Sequence, residues 1–549
     1  MAEPLPVTWV VEADLDRDGA YETPLTSYIN AAGSGIEVAR ELDEDGRYKV
    51  SRVTFDLANQ YGDLTPEYVN HPNYAGSSPF ANGKMRAGSP VRITATHNAI
   101  GYTLWTGYTA EWVTTGGRGE PTGGRCRLSC TDLAGLLREA LPVDVTPSTS
   151  RDTDGAIAAI LAATGLSAGD YSLDDGLQDL PLHYVAQQNP LDAVNQAVDS
   201  EMGGRWWINA AGQLRFRSRQ GWLGTTPDDT WGDGTSIKPE ALGYELVNRH
   251  LISSASVQAN VFVSEDPDEV VMAFSRNELN GNSVLIAAGE TRDFGRIPYG
   301  KAVIAAITPV AMTDYRGNSA AGGGGSDATN SLTVTFADFG ASCDLQVKNT
   351  SGVGVYLTWF QVRGTPYSVV LDRPVFTAAK TTPGEKLKPG GTVNLPYPDD
   401  RSARAKDYAW HLLHQGRHEY PRITLDFGWD ANAIIAAMLG VELGARILFA
   451  DRLAGSSGQW GTYVSDWWYV VAIRHRLHPT TVKRTSVELV PSYLFRNLDR
   501  IAYDLFDRAD QSGLGTSTSG DTWASSAINV VSGVAAPQSA ARNIATITI

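Results

Sequence analysis

The stretch YTLWTGYTAEWV, residues 102–113, decides the fold class. Its side chains alternate with a period of two, the pattern of a strand with one face in a core and one toward solvent. Its neighbours repeat the pattern: VSRVTFDLAN (50–59) and PVRITAT (90–96) alternate, and the Gly-rich TTGGRGEPTGG (114–124) reads as a loop. Residues 1–131 therefore read as an antiparallel β domain. The period changes at CTDLAGLLREAL (130–141), where Leu133, Leu136, Leu137 and Leu141 mark one helical face and Thr131 stands where a cap is needed.

Residues 132–235 read as an α+β domain. DGAIAAILAATG (154–165) is a helix ended by Gly165. NPLDAVNQAVDSEMGG (189–204) is a second, with Asn189 as cap, Pro190 in the first turn and Leu191, Val194 and Val198 as its buried stripe. RWWINAAGQLRFRSR (205–219) is a hairpin turning at Asn209–Gly212. Strands return at 236–284 and 398–495, a second β domain that carries a helix at 401–415 and is split by an inserted β module at 285–397. A C-terminal extension, 496–549, follows. The expected class is thus mainly β, with two antiparallel β domains, an α+β domain and an inserted β module.

Composition narrows the function. Apolar residues make up 42% and charged residues 19%, a globular balance. No run of about 18 apolar residues is present, and MAEPLPVTW at the start lacks the basic and apolar segments of a signal peptide. Cys126 and Cys130 lie four apart on a strand and point the same way as small core residues; with Cys343 they make no zinc or disulfide pattern. The net charge of −16 is wrong for gripping a phosphate backbone. It suits a duct that DNA passes without sticking, or simple solubility. The 14 Trp suggest sugar binding, but most sit on strands beside apolar residues, where core packing is the default.

The candidate metal residues lie in ADLDRDGAYETPL (13–25). Asp14, Asp16 and Asp18 alternate and Gly19 follows, as in the opening of a calcium loop. The twelfth position is Leu25 rather than a bidentate Glu, and the preceding VTWVVEA is strand-like rather than helical, so this is not an EF-hand. The stretch reads as an acidic hairpin turn whose Asp side chains bond nearby amides. The alternative is a calcium site of Asp14, Asp16, Asp18 and Glu22. His411, His414 and His418 have helical spacing, but the HExxH arrangement is missing and zinc is not expected. HRLH (475–478) reads as a strand end with exposed imidazoles. No nucleophile elbow or phosphate loop appears, so neither catalytic residues nor a cofactor are expected.

Several stretches together resemble the baseplate or tail-tip hub proteins of tailed phages, including the N-terminal part of tail-associated lysins. They are FDLANQYGDLTPEY (55–68) with SPFANGKMRAGSPVRI (78–93), LWTGYTAEW (104–112), LDAVNQAVDSEMGGRWWINAAGQLRF (191–216) and YVVAIRHRLHPTTVKRTSVELVPS (469–492). Thr26–Ile29 resembles a strand that often follows the family's acidic turn. The resemblance covers roughly residues 5–495. It implies a homotrimer in which two related, antiparallel β-barrel-like domains per chain, 1–131 and the split 236–284 with 398–495, build a pseudo-sixfold ring matching a hexameric tail tube, and the module inserted at 285–397 resembles the small β-sandwiches of some tail-tip hubs. Its partners would be the distal tail protein, tube and tape measure protein, and a tip fibre or receptor-binding protein, with DNA passing a negatively charged lumen. The alternatives are the hub part of an envelope-degrading tail enzyme and a bacterial carbohydrate-binding surface protein.

The last stretch, LFDRADQSGLGTSTSGDTWASSAINVVSGVAA (505–536), resembles the first strands of a laminin-G-like or concanavalin-like jelly roll, through Phe506, Arg508, Ala509, Asp510, Gly515, Gly520 and Trp523. Two or three strands there are too few for a core of their own. They are expected either to pack on the hub or a neighbouring chain, or to open a sugar-binding module of a longer protein.

Overall fold

The computed structural model describes the chain apart from residues 1–6, 34, 44–45, 60–63, 65–86, 116–123, 181, 202, 224–225, 233, 248–251, 260–261, 275–282, 370–374, 380–387, 396–407, 410–411, 414–419, 453–462, 479–482, 492–510, 513–527, 532–533 and 538–549. The fold is mainly β, as the alternation implies. Among the described residues no helix is long and apolar enough to cross a membrane.

The first sheet is built from β1 (Thr8–Ala13), β2 (Thr23–Pro24), β4 (Arg52–Asn59), β5 (Pro90–His97), β6 (Ile100–Thr115) and β7 (Gly124–Thr131). Its strand order is β2-β1-β5-β6-β7-β4. One face buries Val53, Phe55 and Leu57 against Cys126, Leu128 and Cys130, so the two cysteines are core residues, as their spacing implies. Strand β3 (Ile36–Leu42) does not join this sheet.

The second sheet contains β8 (Asp229–Gly232), β9 (Ala241–Val247), β10 (Tyr420–Gly428), β11 (Arg446–Arg452), β12 (Tyr463–Leu477) and β13 (Arg484–Pro491). Their order is β8-β11-β12-β13-β10-β9, with β3 added on β12. Strands β9 and β10 pair antiparallel, with Val247 opposite Tyr420, although a long insertion lies between them in the chain. Between them lie a three-stranded sheet (252–259, 375–379, 388–395) and a sandwich whose strands run from Phe262 to Val369. The sandwich has its own core around Leu345, Val347, Leu357 and Phe360. It touches the α+β segment where Arg296 pairs with Asp144 at 2.8 Å.

That segment carries α2 (Leu133–Glu139), α3 (Thr153–Ala163) and α4 (Pro190–Ser200). Helix α4 starts at Asn189, whose side chain accepts the Leu191 N–H, with Pro190 next, and buries Leu191, Val194 and Val198, as expected. Helix α2 is capped by Asp132 and not by Thr131: the carboxylate reaches the Gly135 N–H at 3.0 Å, and an anion suits the helix start. Leu141 lies past the end of this helix and is exposed. The helices, the hairpin at 205–217 and the inner face of the second sheet share one core.

Thr26–Ile29 is not a strand but the start of helix α1 (Thr26–Ala32). Leu25 and Ile29, four apart, put two apolar groups on one helical face, and both are fully buried. Gly33 stops the helix in the left-handed region at φ 67°. Helix α5 (Asn432–Gly440) lies between the two sheets. Ile435 and Leu439 enter the first core, while Ile434 and Met438 enter the second, so a helix apolar on two sides bridges both.

Candidate functional site

The two sheets contain the same four-strand unit. In the first the order is β5-β6-β7-β4; in the second it is β11-β12-β13-β10, and every neighbour pair is antiparallel. In chain order each unit is one strand, a connection, then three strands in a meander, with the first strand returning beside the last. The third strands also match in detail. Both are long, 16 residues for β6 and 15 for β12. Each pairs with the preceding strand along its first half and with the following strand along its second. Each carries one extra residue against its later partner, between Thr109 and Glu111 in β6 and between Val470 and Ala472 in β12.

The units are joined by β3. It runs antiparallel to the second half of β12, from Ile36 opposite Leu477 to Glu41 opposite Ala472. The sequence IEVAREL explains one face: Ile36, Val38 and Leu42 are buried, and so is Arg40, only 2% exposed. A buried guanidinium is costly unless paired. Its partner is Glu442, two residues past the end of α5. The same carboxylate accepts the Ala210 N–H at 2.9 Å and the Leu443 N–H at 2.8 Å, so one side chain ties β3, the 205–217 hairpin and the second sheet together.

His475 on β12 stands opposite Val38 of β3. It is buried, not exposed as its strand-end position suggests. Ile473, His475 and Leu477 share the inward face, while Arg476 points out. The imidazole meets Thr485 Oγ1 at 3.0 Å. Burial, and secondarily the charge of Arg40, push its pKa down to about 3, so it stays neutral. A polar network anchors the other end of the joint. Ser51 Oγ donates to the Ala39 carbonyl at 2.6 Å and accepts the Trp105 Nε1–H at 3.0 Å. Asp132 accepts the Ser51 N–H and the Tyr48 hydroxyl, both at 2.8 Å. Burial raises the Asp132 pKa, against the lowering pull of these donors.

The acidic turn is a hairpin loop between β1 and β2. Asp14 is buried and organises it: its carboxylate accepts the N–H groups of Arg17 at 2.6 Å, Asp18 at 3.2 Å and Gly19 at 2.9 Å. Asp18 accepts the Ala20 N–H at 2.9 Å. Gly19 at φ 93° takes a conformation that side chains resist. The structure brings Asp14, Asp16 and Asp18 together, with ligand oxygens within 4.8 Å of one another; Glu22 is exposed and outside this group. His411, His414 and His418 lie outside the described residues. Of the C-terminal extension, strands at 511–512, 528–531 and 534–537 form a three-stranded antiparallel sheet.

No protein-family model matches the chain, and no curated protein matches it. Among solved structures it is similar to the tail protein from Neisseria meningitidis MC58, with 11% identity, a TM-score of 0.44, and coverage of 89% of this chain and 98% of that one. It is also similar to the 43 kDa tail protein of prophage MuSo2 from Shewanella oneidensis, at 8% identity and TM-score 0.42, covering 89% and 99% of the two chains. A prophage tail protein from Listeria monocytogenes follows at 9% identity and TM-score 0.38, covering 88% and 94%. At TM-scores below 0.5 none of these likenesses carries a functional reading.

Proposed function

We propose that this chain is a structural protein of a bacteriophage tail, a hub at the distal tip that acts by assembly and not by catalysis. The observation that carries the reading is the duplicated four-strand unit, locked together by β3. A rigid pair of like units lets three chains offer six like positions, which is what a threefold ring on a hexameric tube requires. The motif order of residues 5–495 supports the same reading, with the distal tail protein, tube and tape measure protein on one side and a tip fibre or receptor-binding protein on the other. The lumen of such a ring is negatively charged, in keeping with the net charge of −16, so that DNA slides without binding. Native mass measurement of the chain, alone and mixed with tail proteins, tests this. Threefold particles are expected, and a strict monomer in both conditions would sink the reading.

A further inference from the structure

The hairpin at 205–217, helix α5 and the second sheet enclose a cleft of about 520 Å³, within the size range of ligand sites. The hairpin strand Leu214–Arg217 alternates: Leu214 and Phe216 enter the core, so Arg215 and Arg217 share the other face and line the cleft together. Ala436, Ala437 and Gly440 of α5 form a wall of small residues. Acids line the cleft too, but each already serves the fold. Asp228 accepts the Arg446 N–H at 2.7 Å. Asp229 accepts the Thr230 N–H and the Trp231 indole N–H, both at 2.8 Å. Glu442 holds Arg40 and two backbone N–H groups.

The two arginines are less well matched. The Arg217 guanidinium lies over the rings of Trp222, at 4.9 Å, and Trp207, at 5.4 Å, and donates from Nη1 to the Gly444 carbonyl at 2.7 Å. Among the described residues no carboxylate pairs with it directly. Arg215 donates to the Ser172 hydroxyl and reaches a carboxylate, Asp174, only at 3.9 Å. Burial lowers the Arg217 pKa, as expected of a cation short of counter-charge. We propose that the cleft binds a carboxylate of a partner polypeptide, an acidic side chain or a chain end, received by Arg215 and Arg217. A planar carboxylate matches the guanidinium fork. A phosphate would bring a second negative charge toward Asp174, Asp228 and Asp229, which oppose it. A sugar would need an open aromatic face, and Trp207 and Trp231 are each only 1% exposed. The small wall of α5 leaves room for an aliphatic stem or a peptide backbone beside the anion. The site lies within one chain, so it stands apart from the threefold reading.

The test uses the full chain labelled with fluorotryptophan and read by fluorine NMR, the Trp207 signal being identified through Trp207→Phe. The probes are acetyl-Ala-Ala-Glu-Ala-amide and acetyl-Ala-Ala-Ala-Ala with a free C-terminus. Acetyl-Ala-Ala-Gln-Ala-amide, inorganic phosphate and glucuronic acid are the comparisons. At least one acidic peptide should shift the Trp207 signal with a Kd of about 1 mM, and which one does so separates side chain from chain end. The three comparisons should bind at least about tenfold more weakly. Arg215→Gln, at a position outside the core, should weaken the acidic peptide at least about tenfold, while Arg127→Gln on the first sheet should leave it unchanged. Phosphate, glucuronic acid or the Gln peptide binding as tightly as the acidic peptides would overturn the proposal. So would undiminished binding to Arg215→Gln, or no shift with either acidic peptide up to about 10 mM.

Discussion

The first and second four-strand units share strand order, long third strand and bulge, yet their surroundings are unlike. The second holds a borrowed strand with a buried Arg40–Glu442 pair and a neutral His475. In the first, the matching half-strand from Ala110 to Thr115 pairs with β7 alone among the described residues. The contrast teaches that pairing, more than composition, makes the units alike. It also shows that the energy invested in the joint sits in a few polar groups buried between apolar strands. Substitutions at these groups should separate the two units in stability.

The largest effect is expected at the joint. Glu442→Ala would leave Arg40 buried without its partner, which costs about 3 kcal/mol. Urea denaturation should show a lower midpoint, and Glu111→Ala on the open edge of β6 should stay within about 0.5 kcal/mol of the parent. An equal loss at both positions would erase the distinction between joint and edge.

Acid should loosen the same joint. His475 is held near 3 when folded and titrates near its ordinary 6.5 when unfolded, so between these values the unfolded chain binds more protons. Its contribution is complete above about pH 6.5 and declines as pH falls, by up to about 1.4 kcal/mol per pH unit. His183, pushed down to about 4 by burial and by Arg151, adds to the same window. In His475→Gln the slope of stability against pH should flatten without vanishing, because His183 remains. An unchanged slope would mean that His475 is not buried neutral.

A smaller effect belongs to the acidic turn. Asp14→Ala removes the acceptor of three backbone N–H groups, and a loss of about 1–2 kcal/mol is expected. As an acidic turn without an ion, the parent should melt at the same temperature with or without millimolar calcium. A rise that Asp16→Asn abolishes would assign the cluster to a cation instead. The smallest effect is expected at the exposed Arg127–Asp56 pair across β7 and β4, which is 3.0 Å long but solvated. Asp56→Ala should change stability by less than about 1 kcal/mol.

Much of this was legible in the residues, because period two marks strands and period 3.6 marks helices wherever one face is buried. The cap at Asn189, the hairpin at Asn209–Gly212 and the core role of Cys126 and Cys130 all follow from local rules. Helix α1 was missed because Thr26–Ile29 is short and β-branched at both ends; tertiary burial of Leu25 and Ile29 outweighs that propensity. The partner of β3 was out of reach for a different reason. Alternation shows that a strand has a buried face but not which sheet receives it. The one signal was Arg40 among the inward residues of IEVAREL, a charge that demands a distant carboxylate. The likeness of the units is implied by the family resemblance but not by the residues themselves, since Leu128 and Cys130 of β7 and Val487 and Leu489 of β13 fill like positions with different side chains.

The central claim is that two like units per chain are the building blocks of a ring. Electron cryomicroscopy of the assembled full chain tests it most directly. A threefold particle is expected, in which six four-strand units alternate around one axis, with β3 on β12 inside each chain. A particle whose first and second units do not occupy alternating, equivalent positions would contradict it.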